Sequence, residues 1–276
     1  MKIRRWSLVG VATVVLFTPA LAACGSSGGT EEGGGTAASP AAASPTTAAD
    51  PKQVLLASTS EIKKGNFRFT VAGDGMTGEG QVHQPSKSAR YTLKAGDAAD
   101  GFSMNMDVIY VEPSSWAKLD FDGEMAAAMK NPKLEGKYQH LDQSKVKKQK
   151  GLGFDWNDID PAGSDLILKG IVDVQAAGEG AYAGTVDVTK ATEAGLLDEE
   201  TVKALATKAA ALPFTATVDQ QGRLTALSID FPAVGESKAH QVKVTYADYG
   251  AATKVDQPPA AQVVEAPAST YQMLNS

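Results

Sequence analysis

The chain has 276 residues, is 43% hydrophobic, and carries 26 Lys and Arg against 32 Asp and Glu for a formal net charge of −6. An acidic balance of this kind excludes nucleic acid as a partner, because such binding rests on neutralising phosphates. A lone cysteine likewise excludes an intrachain disulfide, so stability must come from an ordinary core.

At the start, Lys2, Arg4 and Arg5 precede an apolar stretch from Trp6 to Phe17, which Thr18-Pro19-Ala20 interrupts before Leu21-Ala22-Ala23-Cys24. A basic head, a short apolar run and small residues are the layout of a secretory signal over residues 1–23. The run falls well short of the roughly 20 residues a spanning helix needs. Leu21-Ala22-Ala23-Cys24 resembles the lipobox of bacterial lipoproteins. That resemblance implies a diacylglyceryl group on the Cys24 sulfur, cleavage between Ala23 and Cys24, and a place on the extracytoplasmic face of the cell membrane. Thioether formation calls for a thiolate nucleophile, and the other common role of a cysteine, a buried free thiol, has no packed domain around it at this position. Cleavage would remove Lys2, Arg4 and Arg5 and no acid, taking the net charge from −6 to −9. So acidic a chain needs acyl chains rather than charge to stay on an anionic membrane.

Residues 24–49 are almost entirely Gly, Ser, Thr, Ala and Pro, with Glu31 and Glu32 the only charges. Such a segment is expected to stay disordered and to act as a tether reaching roughly 25–30 Å.

A single domain is expected over residues 50–258. Asp50 and Pro51 open a helix in which Val54, Leu55, Ser58 and Ile62 share a face, and Lys63-Lys64-Gly65 stops it. Period-two alternation follows in Phe67–Val71, Tyr91–Ala95 and Phe102–Tyr110, predicting a meander of about five half-buried antiparallel strands over residues 67–121. Between 122 and 175 the pattern weakens: a short helix is expected before Pro132, and "DPAGSDLILKG" at 160–170 repeats the Asp-Pro to Lys-Gly frame of the first helix. Alternation returns at Thr185–Val188. A helix is then expected from Asp198 through Leu212 with Pro213 ending it, followed by two strands about a Gln220-Gln221-Gly222 turn and a further strand at His240. The tail at 259–276 is expected to be flexible. Helices that cover one face of an antiparallel sheet make this an α+β chain.

Several motifs match by letter only. "GDGMTG" at 73–78 fits a dinucleotide fingerprint, but Glu79–Val82 after it reads as a strand, so a hairpin is the expectation. "GSSGG" at 25–29 fits a nucleophile elbow and lies in the tether. In "DFDGE" and "DWNDIDPAG" the glycine and glutamate positions do not match a calcium loop. His83, His140 and His240 lack companions at ligand spacing, so no metal, cofactor or catalytic constellation is expected. Seven lysines lie between Lys130 and Lys150. They form either a solvated face or a patch that meets anionic head groups or a partner. The "GLGFDW" segment at 151–156 is either part of a lid or a loop anchored by Phe154 and Trp156.

"LPFTATVDQQGRLTALSIDFP", "HQVKVTYADYGAATKVDQPP" and "IYVEPSSWAKLDF" together resemble the mycobacterial lipoproteins of the LppX/LprG group. The resemblance implies a LolA/LolB-like fold, a curved antiparallel half-barrel with helices on its concave face. It also implies an apolar cavity for a lipid or lipoglycan, carried across the envelope without catalysis. Phe69, Leu93, Met104, Met106, Leu227 and Ile229 are the candidate lining. The competing expectation is a surface interaction module whose core is filled, with "FSMNMDVIY" supplying core methionines.

Overall fold

A computed structural model describes residues 49–73, 75–124, 131–146, 156–189, 199–235 and 237–275. The signal segment, Ala23 and Cys24, nearly all of the tether, the helix expected before Pro132 and residues 151–155 of the lid segment lie outside the described residues.

The first helix forms where its caps demand. Asp50 accepts the Lys52 amide at 2.9 Å and Pro51 is the first residue of α1 (Pro51–Ser58). The helix then steps, because Ser58 and Thr59 hydroxyls bond back to the Leu55 and Leu56 carbonyls and Thr59 also donates to Asp165. α2 (Ser60–Lys63) completes it, and Gly65 turns the chain at φ +69°. A Cβ there would sit 2.4 Å from Ile159 Cδ1, so only glycine fits.

Strands follow at once: β1 (Asn66–Gly73), β2 (Met76–His83), β3 (Ser88–Asp97), β4 (Phe102–Val111), β5 (Ser114–Asp122) and the short β6 (Tyr138–Leu141). The second half restarts with α3 (Ser164–Lys169), then β7 (Ile171–Gly178), β8 (Ala181–Val186), α4 (Glu199–Leu205), β9 (Leu212–Val218), β10 (Leu224–Phe231) and β11 (His240–Ala247). The Lys-Gly echo has a structural counterpart. Gly65 and Gly170 each end a helix one residue before a strand, and each carbonyl accepts the amide of the residue just past the partner strand, Gln84 at 2.7 Å and Asp187 at 2.8 Å.

β1 pairs with β11, joining the two meanders into one twelve-stranded sheet of order β12-β6-β5-β4-β3-β2-β1-β11-β10-β9-β8-β7. The sheet is curved and unclosed, and antiparallel throughout except where β12 (Val263–Glu265) runs parallel to β6. The main core sets Leu55, Ile62, Leu168 and Leu205 of the helices against Phe67, Val82, Phe214, Leu224 and Leu227 of the strands. A smaller cluster of Ile109, Trp116, Tyr138 and Val255 occupies the other face.

Two expectations need correction. The helix expected through Leu212 stops at Leu205, where Ala206 takes φ +49°, and a 3-10 turn over Ala206–Ala210 leads into β9. Leu212 and Pro213 belong to that strand, because Leu212 is needed in the sheet core, where it is 1% exposed. The tail beyond Pro258 is also structured: β12 extends the sheet and α5 (Ala268–Leu274) follows, tied by Thr270 to Gln139 and by Tyr271 to the Asp142 amide. β7, for which no strand was expected, is an edge strand exposed along most of its length and carries two register shifts.

Candidate functional site

Strand register decides which of the candidate residues meet. Across β10, β11 and β1 to β5, Leu227, Val244, Val71, Gly78, Leu93, Met106 and Leu119 form one unbroken row. One rung nearer the helices, Tyr246, Phe69, Gly80, Tyr91, Val108 and Ala117 form a second. One rung farther out, Met76, Ala95, Met104 and Phe121 form a third. Because alternate residues share a face, all three rows lie on the helix-bearing side of the sheet.

The rows differ in cover. Phe69, Leu227 and Ile229 are 8%, 1% and 5% exposed and belong to the packed core. Leu93, Met104 and Met106 are only half-buried, as are Val71, Phe102, Leu119 and Phe121, while Met76 is 36% exposed. The six candidates therefore divide into three core residues and three that border an open apolar patch. Val71, Met76, Leu119 and Phe121 were not singled out from the sequence. Val71 lies in the alternation of β1 and Leu119 and Phe121 in that of β5, while Met76 opens β2, and they join the patch only through register.

Two glycines shape this surface. A Cβ on Gly80 would lie 2.5 Å from Phe69 Cε1, so the Phe69 ring rests across β2 where a side chain is missing. At Gly78 a Cβ would lie 3.3 Å from Leu93 Cδ1 and 3.0 Å from the Thr92 carbonyl oxygen. The middle of the patch is thus a backbone trough between Val71 and Leu93, with flexible methionines on its far side. Phe102 and Phe121 close one margin with ring centroids 6.4 Å apart.

At the covered end, Asp160 accepts the amides of Ser164 and Asp165 at 3.0 and 2.8 Å, and Ser164 meets the Tyr246 hydroxyl at 2.8 Å. Burial pushes the Asp160 carboxyl up to about 6, against the opposing pull of those two amides. Asp165 is held low: burial would raise it, but bonds from Lys169, Lys63 and Thr59 prevail. On the other face, Arg90 grips Asp107 through two bonds of 2.9 and 2.8 Å, and Tyr138 donates to Asp107 at 2.6 Å. Burial, then the Asp107 bond, pushes the Tyr138 hydroxyl up to about 12.

The remaining sequence candidates have local roles. His83 bonds Ser86, His140 lies against Trp116 and Glu265, and His240 stacks on Phe231 at 5.1 Å. Among the described residues no three His, Cys, Asp or Glu side chains gather as metal ligands, and no helix is long and apolar enough to cross a membrane. Of the lysine run, Lys137 donates to the Ala261 carbonyl and Lys145 pairs with Asp142 beside the Tyr271 ring, while Lys130, Lys147, Lys148 and Lys150 lie outside the described residues. Trp156, the last residue of the lid segment, packs against the core. The "GDGMTG" stretch spans the β1–β2 hairpin, with Gly73 opposite Met76.

What the helix-bearing face offers chemically is an apolar surface for van der Waals contact, open at one end and bounded by a packed core at the other. No protein-family model, curated protein or solved structure matches the chain.

Proposed function

We propose that the protein is a membrane-tethered lipoprotein that binds a lipid, or another apolar ligand, non-covalently and without catalysis. The observation that carries this reading is the continuous row from Val71 through Gly78, Leu93 and Met106 to Leu119, apolar and only half covered. Contiguous apolar surface left open to solvent is the feature of ligand grooves and of membrane or partner contacts. In this reading the curved sheet is a LolA-like half-barrel, the helices fill the deep end of its concave face, and the acyl chain takes the shallow end beside Leu93, Met104 and Met106.

The anchor belongs to the same proposal and rests on Leu21-Ala22-Ala23-Cys24. Growth with an alkynyl fatty acid should label the wild-type chain and place it in the membrane fraction, and Cys24→Ala should abolish both. Ligand binding is tested separately, by photo-crosslinking a diazirine-bearing fatty acid to the chain and mapping the modified peptides. Adducts on the peptides that hold Leu93, Met104 and Met106 are expected, and saturable labelling confined to other strands would sink the proposal.

A second reading keeps a filled core and a surface that meets a protein or wall partner. The burial of Phe69, Leu227 and Ile229 favours it. It predicts no saturable adduct at all.

A further inference from the structure

The opposite face of the same strands carries a polar trough of about 430 Å³. Two rungs of side chains wall it. Glu79, Thr92, Asp107 and Lys118 stand in register on β2 to β5, continued by Thr70 on β1, and two residues farther along the strands stand Thr77, Lys94, Asn105 and Asp120. Between them the floor is the backbone of Gly78, Leu93 and Met106. Rungs two residues apart set the two wall rows about 6.7 Å apart from centre to centre, and the trough runs across four strands for about 14 Å. Its volume lies within the range of small-molecule sites.

The chemistry of the walls narrows the occupant. Three carboxylates, two amines, three threonine hydroxyls and the Asn105 amide line it; with Asp107 paired to Arg90, the two remaining carboxylates balance the two amines. Among the described residues, the side chains of Glu79, Lys94, Asn105 and Asp120 engage in no hydrogen bond or ion pair within the chain. The floor has no free amide or carbonyl to offer, because those groups are spent on the ladders between β2, β3 and β4. An extended peptide, which needs a sheet edge, therefore has nothing to pair with. A hydroxyl group both donates and accepts, and suits a wall that alternates acceptors and donors. Part of the wall is already fixed: Arg90 and Tyr138 hold Asp107, and Tyr138 lies under the Lys118 amine at 5.1 Å. Holding those groups in place before binding lowers the ordering cost of a ligand.

We propose that this trough is a binding site for a neutral, hydroxyl-rich chain, a linear oligosaccharide lying across β2 to β5. The site is independent of the apolar patch, and the loss of either leaves the other standing. With no aromatic platform among its lining residues, affinity is modest, a Kd of about 0.1–1 mM.

The test is calorimetric titration of the full chain, held in a polyoxyethylene detergent that carries no sugar, with maltohexaose, xylohexaose and mannohexaose. At least one is expected to bind, with affinity at least tenfold weaker in Lys94→Ala/Asn105→Ala and unchanged in Lys208→Ala, a residue of the distant turn after α4. Should the double variant not fold, Thr92→Val and Asn105→Asp replace it with the same expected loss. Absence of heat with all three sugars overturns the proposal, as does binding that survives the trough variants. Preference for a sulfated hexasaccharide or for an extended peptide over the neutral sugars overturns it too.

Discussion

The two ends of the helix-bearing face are built from the same strands and the same alternation, yet they differ in cover. At one end Phe67, Val82 and Ala89 are 0–1% exposed beneath Leu55 and Ile62; at the other Leu93, Met104 and Met106, on β3 and β4, stay half in solvent. Alternation thus reports which face a residue takes and says nothing of its depth along the strand. Depth is set by where the helices lie, and α1 to α3 lie over one end only, α1 meeting β7 and β9 and α2 meeting β1. A surface left apolar where no described helix covers it is the physical core of the lipid-binding proposal.

Truncation should expose the contrast most sharply. Phe67→Ala at the packed end is expected to cost about 3–5 kcal/mol, because a large buried ring leaves a cavity. Met106→Ala at the open end should cost less than about 1.5 kcal/mol, since its site already meets water. Urea unfolding of the two variants measures the difference, and equal losses would mean that the two ends are packed alike.

A pH scan probes the covered end next. Folding favours the protonated form of Asp160 relative to the unfolded chain, with its pKa raised to about 6 by burial. Stability from this group is fully present below the unfolded carboxyl value and falls as pH rises from about 4 to about 6, by something on the order of 3 kcal/mol. Asp160→Asn should flatten that part of the curve while keeping an oxygen to accept an amide of α3. An unchanged slope would show that Asp160 is better solvated than its burial indicates.

A modest effect belongs to the other face. Tyr138→Phe removes the 2.6 Å bond to Asp107, for an expected loss of about 1–2 kcal/mol. Because Arg90 still satisfies Asp107, the loss should stay below that of Phe67→Ala; a larger one would make the polar trough, rather than the apolar core, the organising centre of β4 and β5.

Much of this architecture was legible in the residues. The strands of the first meander, the Asp50 cap, the Gly65 stop and the hairpin at Gln220–Gly222 all follow from period and turn chemistry, which act locally. What escaped was decided by partners distant in sequence. β6 and β12 are four and three residues long and exist because they pair with each other and with β5. β7 alternates Val172, Val174 and Ala176 with Asp173 and Gln175, but it lies at the sheet edge with most of its length exposed, so its pattern marks no buried face. At the candidate site, choosing Met104, Met106 and Leu93 needed only the pattern, whereas placing Phe69, Leu227 and Ile229 in the core needed the helices. The polar trough had no signature at all, since its walls come from five strands whose register is invisible in any one of them.

The most direct test of the lipid-binding claim is the lipid content of the compact unit from Thr47 to Ser276, made in a bacterial host, extracted with organic solvent and quantified by mass spectrometry. Roughly one lipid per chain, lost in a folded Met104→Trp/Met106→Trp variant, is the predicted result. A lipid-free protein that also takes up no cis-parinaric acid would contradict it, and would leave the half-covered patch as ordinary surface over a filled core.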